Sequence, residues 1–191
     1  MCWSYEVSIT SFFIGLLVSL ILINRNKNYD KVLGYLILFY SFIQLWEAQL
    51  WLAVKNNNIQ QNLQYTKFIY LTLWIQAFAI GVGIYQVTND WLIMAIGAGL
   101  FIYGYYNMPF FNISKPNKES HLKWGFDDTF YAIVTIVILF GIIRYTNLNY
   151  TWLSFLFLMT PYIYLKINKN ASLSSLWCWF AAMFSFIALS F

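Results

Sequence analysis

The stretch VSITSFFIGLLVSLILI at residues 7–23, then Asn24-Arg25-Asn26-Lys27-Asn28, then VLGYLILFYSFIQLWEAQLWLAV at residues 32–54, decides the fold. Each apolar run comes close to or exceeds the ~20 residues that a helix needs to cross a hydrocarbon core. The polar segment between them marks a loop, so they read as successive membrane spans. Five further runs qualify, at roughly 68–87, 91–106, 128–143, 151–166 and 172–191. Their separators are polar or turn-forming: Lys55-Asn56-Asn57-Asn58, Thr88-Asn89-Asp90, the long Asn107–Asp127 loop, Arg144–Asn149 and Lys166–Asn170. The sequence therefore predicts an all-α integral membrane protein, a single seven-helix transmembrane domain over residues 1–191. The alternative is six helices, with Thr88-Asn89-Asp90 a polar kink in one long helix.

Composition supports the membrane reading. Of 191 residues, 61% are hydrophobic and 9% charged, and mean hydropathy is +0.60. Soluble domains carry about 25% charge, so soluble, disordered and coiled-coil classes are excluded. The net charge of +4 comes from basic residues scattered through the loops, which argues against a nucleic-acid surface. Abundant Asn, Ile, Lys, Tyr and Phe suit AT-rich coding. The spans leave no room for a soluble domain or for long signalling loops.

The first span lacks a preceding basic stretch and a following small-residue cleavage site, so it reads as a retained helix. Orientation is read in two ways. Locally, Arg25, Lys27 and Lys31 follow the first span while Glu6 precedes it, placing the N-terminus outside. Globally, Lys55, Lys67, Lys115, Lys118, Lys123, Lys166 and Lys169 fall on the N-terminal side, against Arg25, Lys27, Lys31 and Arg144 opposite. The first helix usually dominates, which favours N-outside.

Small residues three or four apart share faces where helices approach closely in lipid. They are Ser11/Gly15/Ser19, Ala77/Gly81, Ala79/Gly83, Ala95/Gly99 and Ser174/Cys178/Ala181/Ser185. Trp and Tyr cluster near span ends as interfacial belts do; Trp46, Trp74 and Tyr131 fall deeper.

Polar groups inside spans are costly and are functional candidates. Glu47 is the carboxylate set well inside a span, and Tyr40, Gln44, Glu47 and Trp51 share one helix face. An acid there suits a proton relay, a cation site or a general acid; the structural alternative is a packing hydrogen bond to Gln76 or a backbone carbonyl. Seven alternating spans place Gln44, Glu47, Gln76, Asp127, Asp128, Tyr131, Thr135 and Cys178 toward the N-terminal side, with Cys2, Glu6 and His121. This predicts a polar cavity open on that side, with Glu47, Gln44, Gln76, Asp127 and Tyr131 binding a small solute or ion. Asp127 and Asp128 also read as caps of the fifth span. Cys2 and Cys178 read as free thiols, a disulfide, or soft-metal ligands with His121; the metal, if any, is unspecified.

The absences are informative. The last span has no Lys for a retinal Schiff base. One His does not supply a ceramidase-like zinc site, and there is no Gly-x-Ser elbow, phosphate loop or convincing internal repeat.

Met1-Cys2-Trp3-Ser4-Tyr5-Glu6-Val7-Ser8, Gln44-Leu45-Trp46-Glu47, Gln76 and Trp177-Cys178 together resemble a family of uncharacterised seven-span membrane proteins of large DNA viruses, protists and bacteria. Where members place His before and Pro after the third-span Gln, this chain has Ile75 and Ala77. The resemblance implies seven spans and points to Cys2, Glu47, Gln76 and Cys178, and a viral origin would suit the AT-rich usage. It carries no activity. The leading expectation is a transporter or channel for a small solute, proton or cation, alone or as a homo-oligomer. The alternatives are a membrane-embedded sensor or enzyme using Cys2, His121 and Cys178, and a structural interaction protein.

Overall fold

A computed structural model describes residues 4–27, 29–116 and 122–145. Five helices follow in order: α1 (Tyr5–Arg25), α2 (Asp30–Lys55), α3 (Ile59–Thr88), α4 (Leu92–Tyr106) and α5 (Tyr131–Tyr145). α1, α2 and α3 are long and apolar enough to cross a membrane, whereas α4 and α5 are shorter apolar helices. The described residues are thus mainly helical, with three helices of membrane-spanning length among them. The sixth and seventh expected spans, with Cys2, His121 and Cys178, lie outside the described residues.

Local chemistry sets the helix ends. Ser4 caps α1 by accepting from the Val7 amide, and Asn58 caps α3 by accepting from the Gln61 amide. Asn26 and Asn89, both in the left-handed conformation, end α1 and α3. Thr88-Asn89-Asp90 is therefore a true break between two helices, and the kinked six-helix reading does not apply there. Between α1 and α2, Asp30 is buried and receives both Arg25 Nε and Nη2, at 2.7 and 2.8 Å, with the Lys27 amide at 2.9 Å. This bidentate ion pair closes the first turn.

Contacts fix the direction of each helix. Gly34 of α2 lies against Ser19 and Ile23 of α1, while Gly15 of α1 lies against Ser41 and Ile37 of α2. Contact positions rise in one helix as they fall in the other, so the pair is antiparallel. By the same logic α3 runs antiparallel to α2, through Gly83–Val32 and Trp46–Thr72. It also runs antiparallel to α4, through Gly81–Met94 and Gly97–Phe78. α5 runs parallel to α3, since Tyr131 meets Gln76 and Gly141 meets Ile84. α3 is the hub, touching α2, α4 and α5.

The small-residue faces divide unequally. Ala77/Gly81 turns toward α4, and Ala79/Gly83 toward α2. On α4, however, Ala95 and Gly99 are exposed, and a Cβ added at Gly99 would meet nothing within 4 Å. Close packing instead runs through Ile93, Gly97 and Gly104, which are all buried. The expected Ala95/Gly99 contact is off by half a turn, because a uniformly apolar helix has no sequence signal for which face turns inward.

Two features set up the site. First, α3 has 30 residues, about 45 Å at 1.5 Å per residue, which exceeds a ~30 Å hydrocarbon core. Its first turns extend beyond the apolar run that begins near residue 68. Second, the 107–116 segment, with 122–130 beside it, folds back along these turns. Asn62 clamps its backbone: Nδ2 donates to the Ser114 carbonyl at 3.0 Å, and Oδ1 accepts from the Ser114 amide at 2.9 Å. The Ser114 hydroxyl lies 2.7 Å from Thr66 Oγ1 and accepts from the Gly125 amide at 3.0 Å. A short antiparallel ladder joins β1 (Lys115–Pro116) to β2 (Leu122–Lys123). What reads in sequence as a polar connector is a packed insertion with Ser114, Leu122 and Trp124 buried.

Candidate functional site

Helix α2 carries the central group. Its buried positions include Tyr40, Gln44 and Glu47, the helical stripe expected from their spacing. Glu47 is fully buried, eight residues or about 12 Å of helix from the end at Lys55. Trp124, delivered by the folded-back segment, donates its indole N–H to Glu47 Oε1 at 3.1 Å. The partner expected for Glu47, Gln76, is engaged elsewhere. Gln76 of α3 accepts through Oε1 from the Tyr131 hydroxyl of α5. Its buried Nε2 has no hydrogen-bond partner among the described residues.

The two polar pairs are bracketed by rings. Tyr70 and Trp74 of α3 pack with Phe126 and Phe130, and Trp74 stacks on Phe130 at 4.6 Å between centroids. Trp124 stacks on Phe126 at 5.7 Å. Tyr70 donates to the Gly104 carbonyl at 3.2 Å, tying α3 to the end of α4. This aromatic packing buries the irregular backbone around Trp124 against α3.

Against known family models, curated proteins and solved structures, the chain matches none.

The site must therefore be judged on its own residues. Of the five predicted ligand residues, Glu47, Gln44, Gln76 and Tyr131 are buried within the described bundle. Asp127 is not among them. It is exposed and turns back to accept from the Thr129 amide at 3.0 Å and its hydroxyl at 3.1 Å. It acts as a local turn former just ahead of α5. Beside it, burial pushes the Asp128 carboxyl above the ordinary aspartate range. Among the described residues, no group of three or more His, Cys, Asp or Glu side chains is placed to hold a metal.

Three cavities surround this region. A groove of about 230 Å³ is lined by Phe39, Phe42, Trp46, Phe68, Leu71, Thr72, Ile75 and Phe101. It is walled almost wholly by apolar groups, and Trp46 donates to Thr72 Oγ1 at 3.0 Å on its wall. A second cavity, about 280 Å³, lies beside Asn58, Asn62 and Ser114. The largest, about 520 Å³, lies within the 107–130 segment against Asn112, Lys115, Lys123, Trp124 and Asp127. Glu47 lines none of these three.

Sequence reasoning missed Trp124, Asn62 and Ser114. A signal for Trp124 existed. Leu122 and Trp124 are buried while Lys123 between them is exposed, which is the alternation of a half-buried strand.

Proposed function

We propose that this is a multi-pass membrane protein that moves a proton or small cation at Glu47. In this reading the bundle has seven spans in one domain, and the site opens on the side where α1, α3 and α5 begin. The N-terminus lies outside, as the charges flanking the first span favour. Gln44, Gln76 and Tyr131 supply neutral hydrogen-bonding groups around the acid.

One observation carries the proposal: a carboxyl fully buried in the apolar body of α2, meeting the indole N–H of Trp124. Taking a carboxyl out of water costs several kcal/mol whether or not it is ionised, and a helix surface could present Leu there instead. The test is flux in proteoliposomes for wild type and Glu47→Gln. Wild type should carry protons or cations down a gradient, and Glu47→Gln should reduce that flux by at least about tenfold, the equivalent of ~1.4 kcal/mol. Absence of any such flux in wild type removes the proposal.

The Trp124 hydrogen bond also favours a second reading, in which Glu47 pins the folded-back segment to α2. Gln retains an acceptor oxygen for Trp124. Under this reading, Glu47→Gln leaves stability and any activity unchanged while Glu47→Ala weakens the fold.

A further inference from the structure

We propose that the 520 Å³ cavity between Asn112, Lys115, Lys123 and Asp127 is the aqueous vestibule of the Glu47 site, and that the Trp124 indole is the seal between them. The inference rests on the proposed role of Glu47 and adds the route by which solvent reaches it.

Trp124 takes part in both places. Its indole lines the cavity, and its Nε1 donates to Glu47 at 3.1 Å. It is also nearly inaccessible, at 5% exposure, and Glu47 behind it is fully buried, so the carboxyl is closed off from the cavity. The cavity wall is mixed: Pro109, Phe110, Ile113 and Phe126 are apolar, and the remaining groups give water partners. Lys115 and Lys123 face each other across the β1–β2 ladder, and Asn112 and Asp127 complete a polar rim. A cavity this large with several polar partners holds ordered water readily.

The competing route is the 230 Å³ groove, but its wall is Phe39, Phe42, Phe68 and Phe101 with Trp46. An apolar cavity of this kind stays dry. The vestibule is the better path on polarity as well as on contact with the partner of Glu47.

Phe126 holds the seal from behind. It stacks on Trp124 and packs edge-on against Tyr70 at 5.4 Å. Movement of the indole therefore shifts the 123–126 stretch and loosens the Gly125 contacts to Ser114 and Asn112, while the Asn62–Ser114 clamp keeps the 112–116 stretch on α3.

The experiment uses the full chain in liposomes, a water-soluble carbodiimide with an added amine, and peptide mass spectrometry. In wild type, Glu47 should label slowly and the exposed Asp127 quickly. Trp124→Ala should speed labelling of Glu47 by about tenfold or more, equivalent to lowering an opening free energy by ~1.4 kcal/mol, with Asp127 unchanged. Trp124→Leu, which retains an apolar plug if Ala disturbs folding, should give a smaller increase in the same direction. Trp124→Phe keeps a ring stacked on Phe126 and should label Glu47 at close to the wild-type rate. Phe101→Ala, which widens the apolar groove, should not speed it.

Unchanged labelling of Glu47 in both Trp124→Ala and Trp124→Leu, with normal Asp127 labelling, would overturn the assignment. Acceleration by Phe101→Ala alone would also overturn it in favour of the groove. The labelling reads access and not transport. If wild type shows no flux yet Trp124→Ala accelerates labelling, the vestibule stands and the transport role falls; flux with unchanged labelling gives the reverse.

Discussion

The α4 backbone lies close against α3 at Gly97, and a single methyl group there should separate the two helices. A Cβ added to Gly97 would come to 2.5 Å from both the Ala77 carbonyl carbon and the Phe78 Cα. Ordinary carbon contacts are about 3.5–4.0 Å. The obstacles are backbone atoms of a central helix, which cannot rotate away, so the helices must part by roughly 1 Å. Overpacking of this kind costs about 1–3 kcal/mol. Alanine returns up to ~1 kcal/mol through its better helix propensity. That gain is common to Gly97→Ala and Gly99→Ala, but only the first meets a wall, since Gly99 has open space. The two variants should therefore differ by about 1–3 kcal/mol, with Gly97→Ala destabilised and Gly99→Ala neutral or slightly stabilised. Denaturant unfolding in detergent micelles, followed by circular dichroism, measures the pair side by side. Equal stability of the two variants would refute the assignment of Gly97 and Gly104, not Gly99, to the α3–α4 seam.

Asn62→Ala removes both hydrogen bonds to the Ser114 backbone at once and leaves a buried amide and carbonyl without that partner. It should destabilise the protein by about 1–3 kcal/mol, with hydrogen exchange over residues 112–116 speeding up more than exchange in α5. At the opposite end of the bundle, the Tyr145 hydroxyl donates to Asp90, which holds that carboxyl below the ordinary aspartate range. A carboxyl lowered by folding stabilises the native state above its unfolded pKa of about 3.9 and loses that contribution as pH falls through the lower folded value. Asp90→Asn should therefore melt slightly below wild type at neutral pH, and the gap should close below about pH 4 in thermal scans.

The sequence already showed where the first five apolar helices lie, because charge and Asn clusters interrupt each run. The predicted 7–23 and 32–54 spans became α1 (Tyr5–Arg25) and α2 (Asp30–Lys55), each one or two residues longer at either end. The third span was too short by nine residues at its start. Gln60, Gln61, Asn62 and Gln64 read as loop on hydropathy, yet Gln is a good helix former and Asn58 caps the helix ahead of them. The packed state of residues 107–130 was hidden for a different reason. Its burial comes from long-range partners such as Asn62, Thr66 and Glu47, which no local period encodes. The buried stripe at Tyr40, Gln44 and Glu47 was legible, being purely helical spacing. Pairing of Gln76 with Tyr131, and of Glu47 with Trp124, was not, because both depend on how far α5 and the inserted segment slide along α3. Asp127 and Tyr131 stood close in sequence but part company at the start of α5. One faces solvent and the other faces α3.

The 15-residue length of α4 has a consequence for the surrounding lipid. It is bracketed by Trp91 at one end and by Tyr103, Tyr105 and Tyr106 at the other, all more than half exposed. Indole and phenol rings settle at the headgroup level. Between them the helix rises only about 22 Å, well short of an average ~30 Å hydrocarbon layer. In the multi-pass reading proposed above, acyl chains along this flank thin or tilt to match, forming a dimple beside α4. A host membrane of short or unsaturated chains accommodates such a dimple with less elastic strain than a thick, sterol-rich one, so lipid composition can influence where this chain resides.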